Sequence, residues 1–215
     1  MKDMITGAFG NCQVCGDEMK DQDSALISDS LSISSFWVCL SCLEAYNSLR
    51  KRAEKSGTEV PIGKNFKKSI LEQKEYLERE YLEGVKFFNE AAELVNIGRN
   101  EEALKMLMKA IKVFRDIDAL EAYQAALGNA AMLYTDFGRY EEALKSHIEE
   151  EKICIQLGLE SNLGVSLYNQ GRLYYKMGKL SRAGELLQRS VQLLIRSEEY
   201  EDVLKKAEDL LARLV

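Results

Sequence analysis

The sequence predicts a mainly α protein: an α-solenoid of paired helices preceded by a small metal-held module. Three observations predict it. A single proline and 14 glycines in 215 residues, with abundant Leu, Ala, Glu and Lys, favour helix. From about Asn65 onward apolar residues recur at helical spacing with hardly a break. Residues 1–56 are different: they hold four of the five cysteines and a β-leaning stretch, SALISDSLSISSFWV.

The N-terminal part, 1–56, is read first. Cys12-Gln-Val-Cys15 and Cys39-Leu-Ser-Cys42 are two CxxC pairs, and each turns two sulfurs toward one ion through a tight knuckle. Gly16 supplies the turn after the first. Four thiolates suit tetrahedral Zn²⁺ and leave no open coordination position, so the predicted cofactor is a structural zinc ion, with iron as the alternative for the same sulfurs. A redox couple fits less well, because there are two pairs and no thioredoxin-like surroundings. Between the pairs, Ala25 to Ser28 and Ser32 to Val38 are expected to form a hairpin across Asp29-Ser30. A helix from Leu43 to about Lys55 should follow, with Cys42 in its first turn. Knuckle, hairpin, then knuckle and helix is the order of a treble-clef finger, which this segment resembles. A module of this size has little core, so metal binding would supply much of its folding energy.

Residues 57–80 read as a basic linker and connecting helix. Ser56-Gly57 and Pro61-Ile62-Gly63 punctuate it. Arg50, Lys51, Arg52, Lys55, Lys64, Lys67 and Lys68 face only Glu54 and Glu59 across this region. Near a helix C-terminus such cations complement the dipole; they also offer phosphate contacts. Phe66 to Ile97 is nearly continuous helix, with Ile70, Leu77, Tyr81 and Phe88 on one face, suited to packing on the following helices or to homo-oligomer formation. Gly84 offers an alternative break.

The repeats span 81–197. NIGRNEEALKML (Asn96 to Leu107), DFGRYEEALKSH (Asp136 to His147) and KMGKLSRAGELL (Lys176 to Leu187) align with Gly98, Gly138 and Gly178 spaced 40 apart. Ala103, Ala143 and Ala183 follow the turn in the same register, and the small residues Ala91, Ala131 and Gly171 precede it. Small residues at fixed places let two helices approach closely, the signature of a helix-hairpin solenoid. EYEDVLKKAEDLLARLV, in 198–215, reads as a capping helix that covers the last apolar face.

With Ala131-Met-Leu-Tyr134, Gly171-Arg-Leu-Tyr174 and Gly-Arg-Tyr-Glu-Glu-Ala-Leu at Gly138 to Leu144, this segment resembles tetratricopeptide repeats of the class with about 40 residues per repeat. Repeat one departs from the pattern, with Leu94 where the others have tyrosine, and no proline follows the second helices. The resemblance implies that the first helix of each pair lines a groove for a protein or peptide partner. Asn89, Asn129 and Asn169 stand two residues before the small positions, and the resemblance implies that such asparagines hold the backbone of an extended ligand. An amide that both donates and accepts suits that task. Tyr168, Arg172 and Lys176 beside Asn169 would make one end of the groove aromatic and basic, favouring an acidic or carboxylate-bearing partner.

Other classes fit less well. His147 is the sole histidine, read as a packed or partly exposed helix residue, and Cys154 has no activating neighbour in sequence, so no enzyme is expected. Glu101-Glu102, Glu141-Glu142 and Glu149 to Glu151 read as solvated helix faces. The net charge of −6 argues against a general nucleic-acid binder. An alternative reading makes the chain a regulator whose finger and basic linker contact nucleic acid. MKDMITGAFGN lacks an apolar signal core and Leu31 to Leu43 is too short to span a bilayer, so the expected setting is cytoplasmic, without membrane contact.

Overall fold

A computed structural model describes residues 12–17, 24–28, 35–58 and 66–214. The chain divides into two compact units, Met1–Glu80 and Tyr81–Val215. The first contains strands β1 (Ser24–Ser28) and β2 (Ser35–Cys39), helix α1 (Leu40–Ser56) and the first half of α2 (Phe66–Asn96). The second contains the rest of α2, then α3 (Asn100–Asp116), α4 (Leu120–Asp136), α5 (Tyr140–Leu157), α6 (Glu160–Lys176), α7 (Leu180–Leu194) and α8 (Glu201–Ala212).

In the first unit β1 and β2 pair antiparallel, from Ser24 opposite Cys39 to Ser28 opposite Ser35, so the expected hairpin forms. Its Asp29-Ser30 turn lies outside the described residues. Helix α1 begins three residues earlier than the sequence suggested. Cys39 is extended at φ −72° and ψ 164° and serves as N-cap, so the second knuckle and the first helical turn are one piece of backbone. Knuckle, hairpin, knuckle and helix follow in the expected order. The core is Cys12, Val38, Cys42 and Ala45 together with Phe66 and Ile70, with Tyr46 and Leu77 against it. Helix α2 is therefore more than a connector: Ile70 and Leu77, read from sequence as part of a packing or self-association face, join Phe66 in closing this small core. Tyr46 meets Phe66 edge-on at 5.8 Å between ring centroids. Buried Gln73 accepts from Arg52 Nη1 at 2.9 Å and donates to Ser48 Oγ at 3.2 Å, tying α2 to α1.

In the second unit each hairpin turn has the same construction. Gly98, Gly138 and Gly178 take φ of 76°, 71° and 73°, a left-handed conformation that glycine adopts without steric penalty. The next amide closes the helix end: Arg99 N–H donates to Leu94 O at 2.8 Å, Arg139 to Tyr134 O at 2.8 Å and Lys179 to Tyr174 O at 2.9 Å. Between repeats Gly158 plays the same part at φ 69°, but between α3 and α4 Asp118 takes it at φ 59°. Gly84 does not break α2; it lets that helix approach Phe114 of α3. The apolar core runs through Ala91, Ala103, Leu107, Phe114, Ala126 and Leu133, and a further cluster at the C-terminal end joins Tyr168 and Leu187 to Ala207 and Leu210 of α8. Helix α8 thus packs on the last hairpin, α6 and α7. Among the described residues no helix is long and apolar enough to cross a membrane.

Candidate metal centre and binding groove

The four cysteines converge. Their sulfurs all lie within 4.8 Å of one another, although the knuckle-loop pair is separated by 24 residues or more from the pair at the strand end and helix start. Zinc–sulfur bonds of about 2.3 Å in a tetrahedron place sulfurs about 3.8 Å apart, so the cluster has the right size for one such ion. The knuckle is closed by backbone bonds, Gly16 N–H to Cys12 O at 2.9 Å and Cys12 N–H to Asp17 O at 2.7 Å. Cys12 and Cys42 are buried, and Cys15 and Cys39 half-buried. Burial opposes ionisation of Cys12, but backbone donors at Cys15, Cys39 and Val14 outweigh it and bring the thiol down to about 6. Burial pushes Cys15 up to about 11, and burial with the neighbouring sulfurs pushes Cys42 higher still. Cys12 ionises readily while Cys15 and Cys42 resist; a cation at the centre removes that conflict, so the donor set fits a metal.

Two residues that sequence reasoning missed stand beside the sulfurs. Asp17 Oδ2 accepts from Cys15 Sγ at 3.1 Å and from Lys74 Nζ at 3.0 Å. The Lys74 side chain, on α2, is only 16% exposed. Burial weakens its charge, yet the hydrogen bond to the Asp17 carboxylate outweighs that and raises its pKa above the usual lysine value. No sequence motif joins residues 57 apart, and only the packing of α2 on the knuckle brings them together.

The asparagines occupy equivalent places on α2, α4 and α6. In each helix the small residue two positions on, Ala91, Ala131 or Gly171, is buried, and a step of two residues turns to nearly the opposite face. Asn89 and Asn129 are accordingly exposed and Asn169 half-buried. Next to Asn129, Met132 is 52% exposed. Of the other groove candidates, the Arg172 guanidinium lies 5.8 Å from the Tyr168 ring and Lys176 Nζ 5.9 Å from the Tyr140 ring. Arg172 Nε is buried and has no hydrogen-bond partner among the described residues. Tyr168 is buried against Leu187, Ala207 and Leu210, so its ring supports the cap and holds Arg172 rather than offering an open aromatic surface.

The expectation that Glu149 to Glu151 form a solvated face needs correction. Helix α5 packs on both α4 and α6, and Glu150 falls on its inward stripe, three residues after His147 and four before Cys154, all three buried. Its Oε1 accepts from Gln124 Nε2 at 2.7 Å, and His147 Nδ1 lies 2.7 Å from its Oε2. Ser166 Oγ donates to His147 O at 3.1 Å, and Gln170 Nε2 to Glu151 Oε2 at 2.8 Å, so the network crosses into α6. His147 is a packed core residue, and burial with the Glu150 charge pushes the Cys154 thiol up to about 12. In the first unit, Arg50 pairs with Glu54 at 3.5 Å and Lys68 with Glu72 at 3.7 Å, while Arg52 is held by Gln73.

With this geometry in view, residues 122–196 match the family model described as Tetratricopeptide repeat. Among solved structures, that of BtubC (BKLC) from P. vanneervenii is 17% identical, with a TM-score of 0.58 and coverage of 81% of each chain. The crystal structure of a variant Podosopora anserina protein with nearly identical TPR-like repeats is 18% identical, with a TM-score of 0.52, covering 80% of this chain and 83% of that one. No curated protein matches the chain. Residues 122–196 carry tetratricopeptide repeats, and the likenesses to solved structures are likenesses of fold.

Proposed function

We propose that this tetratricopeptide-repeat protein is a protein-interaction adaptor whose first helices, α2, α4 and α6, hold an extended peptide segment of a partner. The observation that supports the reading is the recurrence of asparagine at one register of α2, α4 and α6, with Asn89 and Asn129 exposed and Asn169 half-buried. A side-chain amide at each step pairs with the donors and acceptors of an extended backbone, largely whatever the peptide's sequence. Arg172 and Lys176 at the α6 end add a preference for acidic residues or a terminal carboxylate. The four cysteines hold a structural zinc ion, which completes a core too small to stand alone.

A random extended-peptide display library selected on the purified chain tests the groove. Selected peptides should be enriched in Asp and Glu, and Asn129→Ala with Asn169→Ala should abolish their retention. Undiminished retention by that double variant would sink the asparagine reading. For the centre, elemental analysis of protein purified without chelator should give one zinc per chain.

A further inference from the structure

The stripe of α2 that closes the first unit runs Phe66, Ile70, Gln73, Lys74, Leu77, and Lys74 is its one charged member. Lysine is rarely placed on an inward stripe without a partner that needs its charge. An ordinary ion pair with Asp17 is a weak reason, since solvent-exposed pairs contribute little and Asp17 is 60% exposed. The stronger reason lies beyond Asp17. Four thiolates around a divalent ion leave two net negative charges in a half-buried site. The Lys74 ammonium is held at its rim by a carboxylate 3.0 Å away, which itself stands 3.1 Å from Cys15 Sγ. Glu78 Oε1, 3.9 Å from Nζ, flanks the ammonium from its own helix.

We propose that Lys74 is a positioning residue for the metal centre, a counter-charge delivered by α2 that makes metal retention and the docking of this helix depend on each other. The proposal rests on the four cysteines holding a metal. Because coupling between two binding events is reciprocal, a helix that stabilises the loaded centre is itself held more firmly when the centre is loaded. Partners placed just outside the ligands typically change metal affinity about 10–100-fold.

The test uses the full chain and zinc itself, in competition with a chromophoric chelator. Lys74→Met keeps the length of the side chain and removes the charge; it should weaken zinc retention about tenfold or more, while Lys74→Arg stays close to the natural chain. Hydrogen exchange supplies a readout that needs no variant: amides of residues 66–77 should lose protection when zinc is stripped. Undiminished affinity in Lys74→Met, failure of arginine to restore it, or protection over 66–77 unchanged by zinc removal would each overturn the proposal. A natural chain that takes up no zinc would instead overturn the reading of the four cysteines.

Discussion

Replacing Glu150 by alanine should destabilise the repeat unit far more than any other single carboxylate replacement on α5. The residue is 4% exposed, and its two oxygens are engaged at 2.7 Å by Gln124 Nε2 and His147 Nδ1. Removing it leaves a buried amide and a buried imidazole facing a gap. Hydrogen bonds to a charged group contribute about 1.5–3 kcal/mol each, so two of them set a loss of about 3–5 kcal/mol once some local relaxation is allowed. At roughly 2–4 °C per kcal/mol, the thermal midpoint followed by far-UV circular dichroism should fall by about 10 °C. Glu149→Ala, whose side chain is 45% exposed, serves as control and should shift stability by less than about 0.5 kcal/mol. Glu150→Gln should fall between them. Its carbonyl can still accept from Gln124, and His147 can change tautomer to accept from the new amide. Because each repeat is stabilised by its neighbours, the early loss in Glu150→Ala should appear in exchange of α4 to α6 amides first. If Glu150→Ala stays within about 1 kcal/mol of the natural chain, the network is not a structural element and the reasoning fails.

Gly84→Ala should lower stability by about 1–3 kcal/mol despite alanine's better helix propensity, because its Cβ would come within 2.5 Å of the Phe114 ring; Gly184→Ala, with Leu214 at 3.7 Å, should gain up to about 1 kcal/mol in the same denaturant titration. Zinc affinity should rise with pH near neutrality. Cys15 and Cys42 have raised pKa values and hold protons in the metal-free state that the loaded centre cannot keep, so binding releases at least two protons, and affinity should climb about 100-fold per pH unit, measurable by calorimetry in buffers of different ionisation enthalpy. Cys154, buried and pushed up to about 12, should resist alkylation at pH 8 in the native chain even after a chelator exposes the other four thiols, and react only on unfolding. Modification of Cys154 before the repeats unfold, read by mass spectrometry, would contradict that burial.

The repeats were legible because their signals are local. A left-handed turn needs glycine, and Gly98, Gly138 and Gly178 announce it at a constant spacing. A close helix pair needs a small residue, and Ala91, Ala131 and Gly171 mark where. The cysteine centre was legible for a similar reason, since each half is a three-residue spacing and the two halves meet in one four-sulfur cluster. Tyr168 and Glu150 were misread for the opposite reason. A helix has one period but several neighbours, and the pattern along α5 or α6 does not say which stripe meets α4, α7 or α8. A charged residue next to two others of its kind reads as solvent-facing until a second helix supplies Gln124 to receive it.

By itself, then, the sequence determined the helix-hairpin repeat, its 40-residue step, the four metal-competent thiols and the register of the three asparagines, because each depends on the conformation or spacing of residues close in the chain. Only the tertiary structure decided that α2 completes the cysteine module, that Lys74 pairs with Asp17 next to Cys15 and that Glu150 is inside. Those facts depend on which faces meet across tens of residues, and burial and pairing energies are set by that meeting rather than by any one segment.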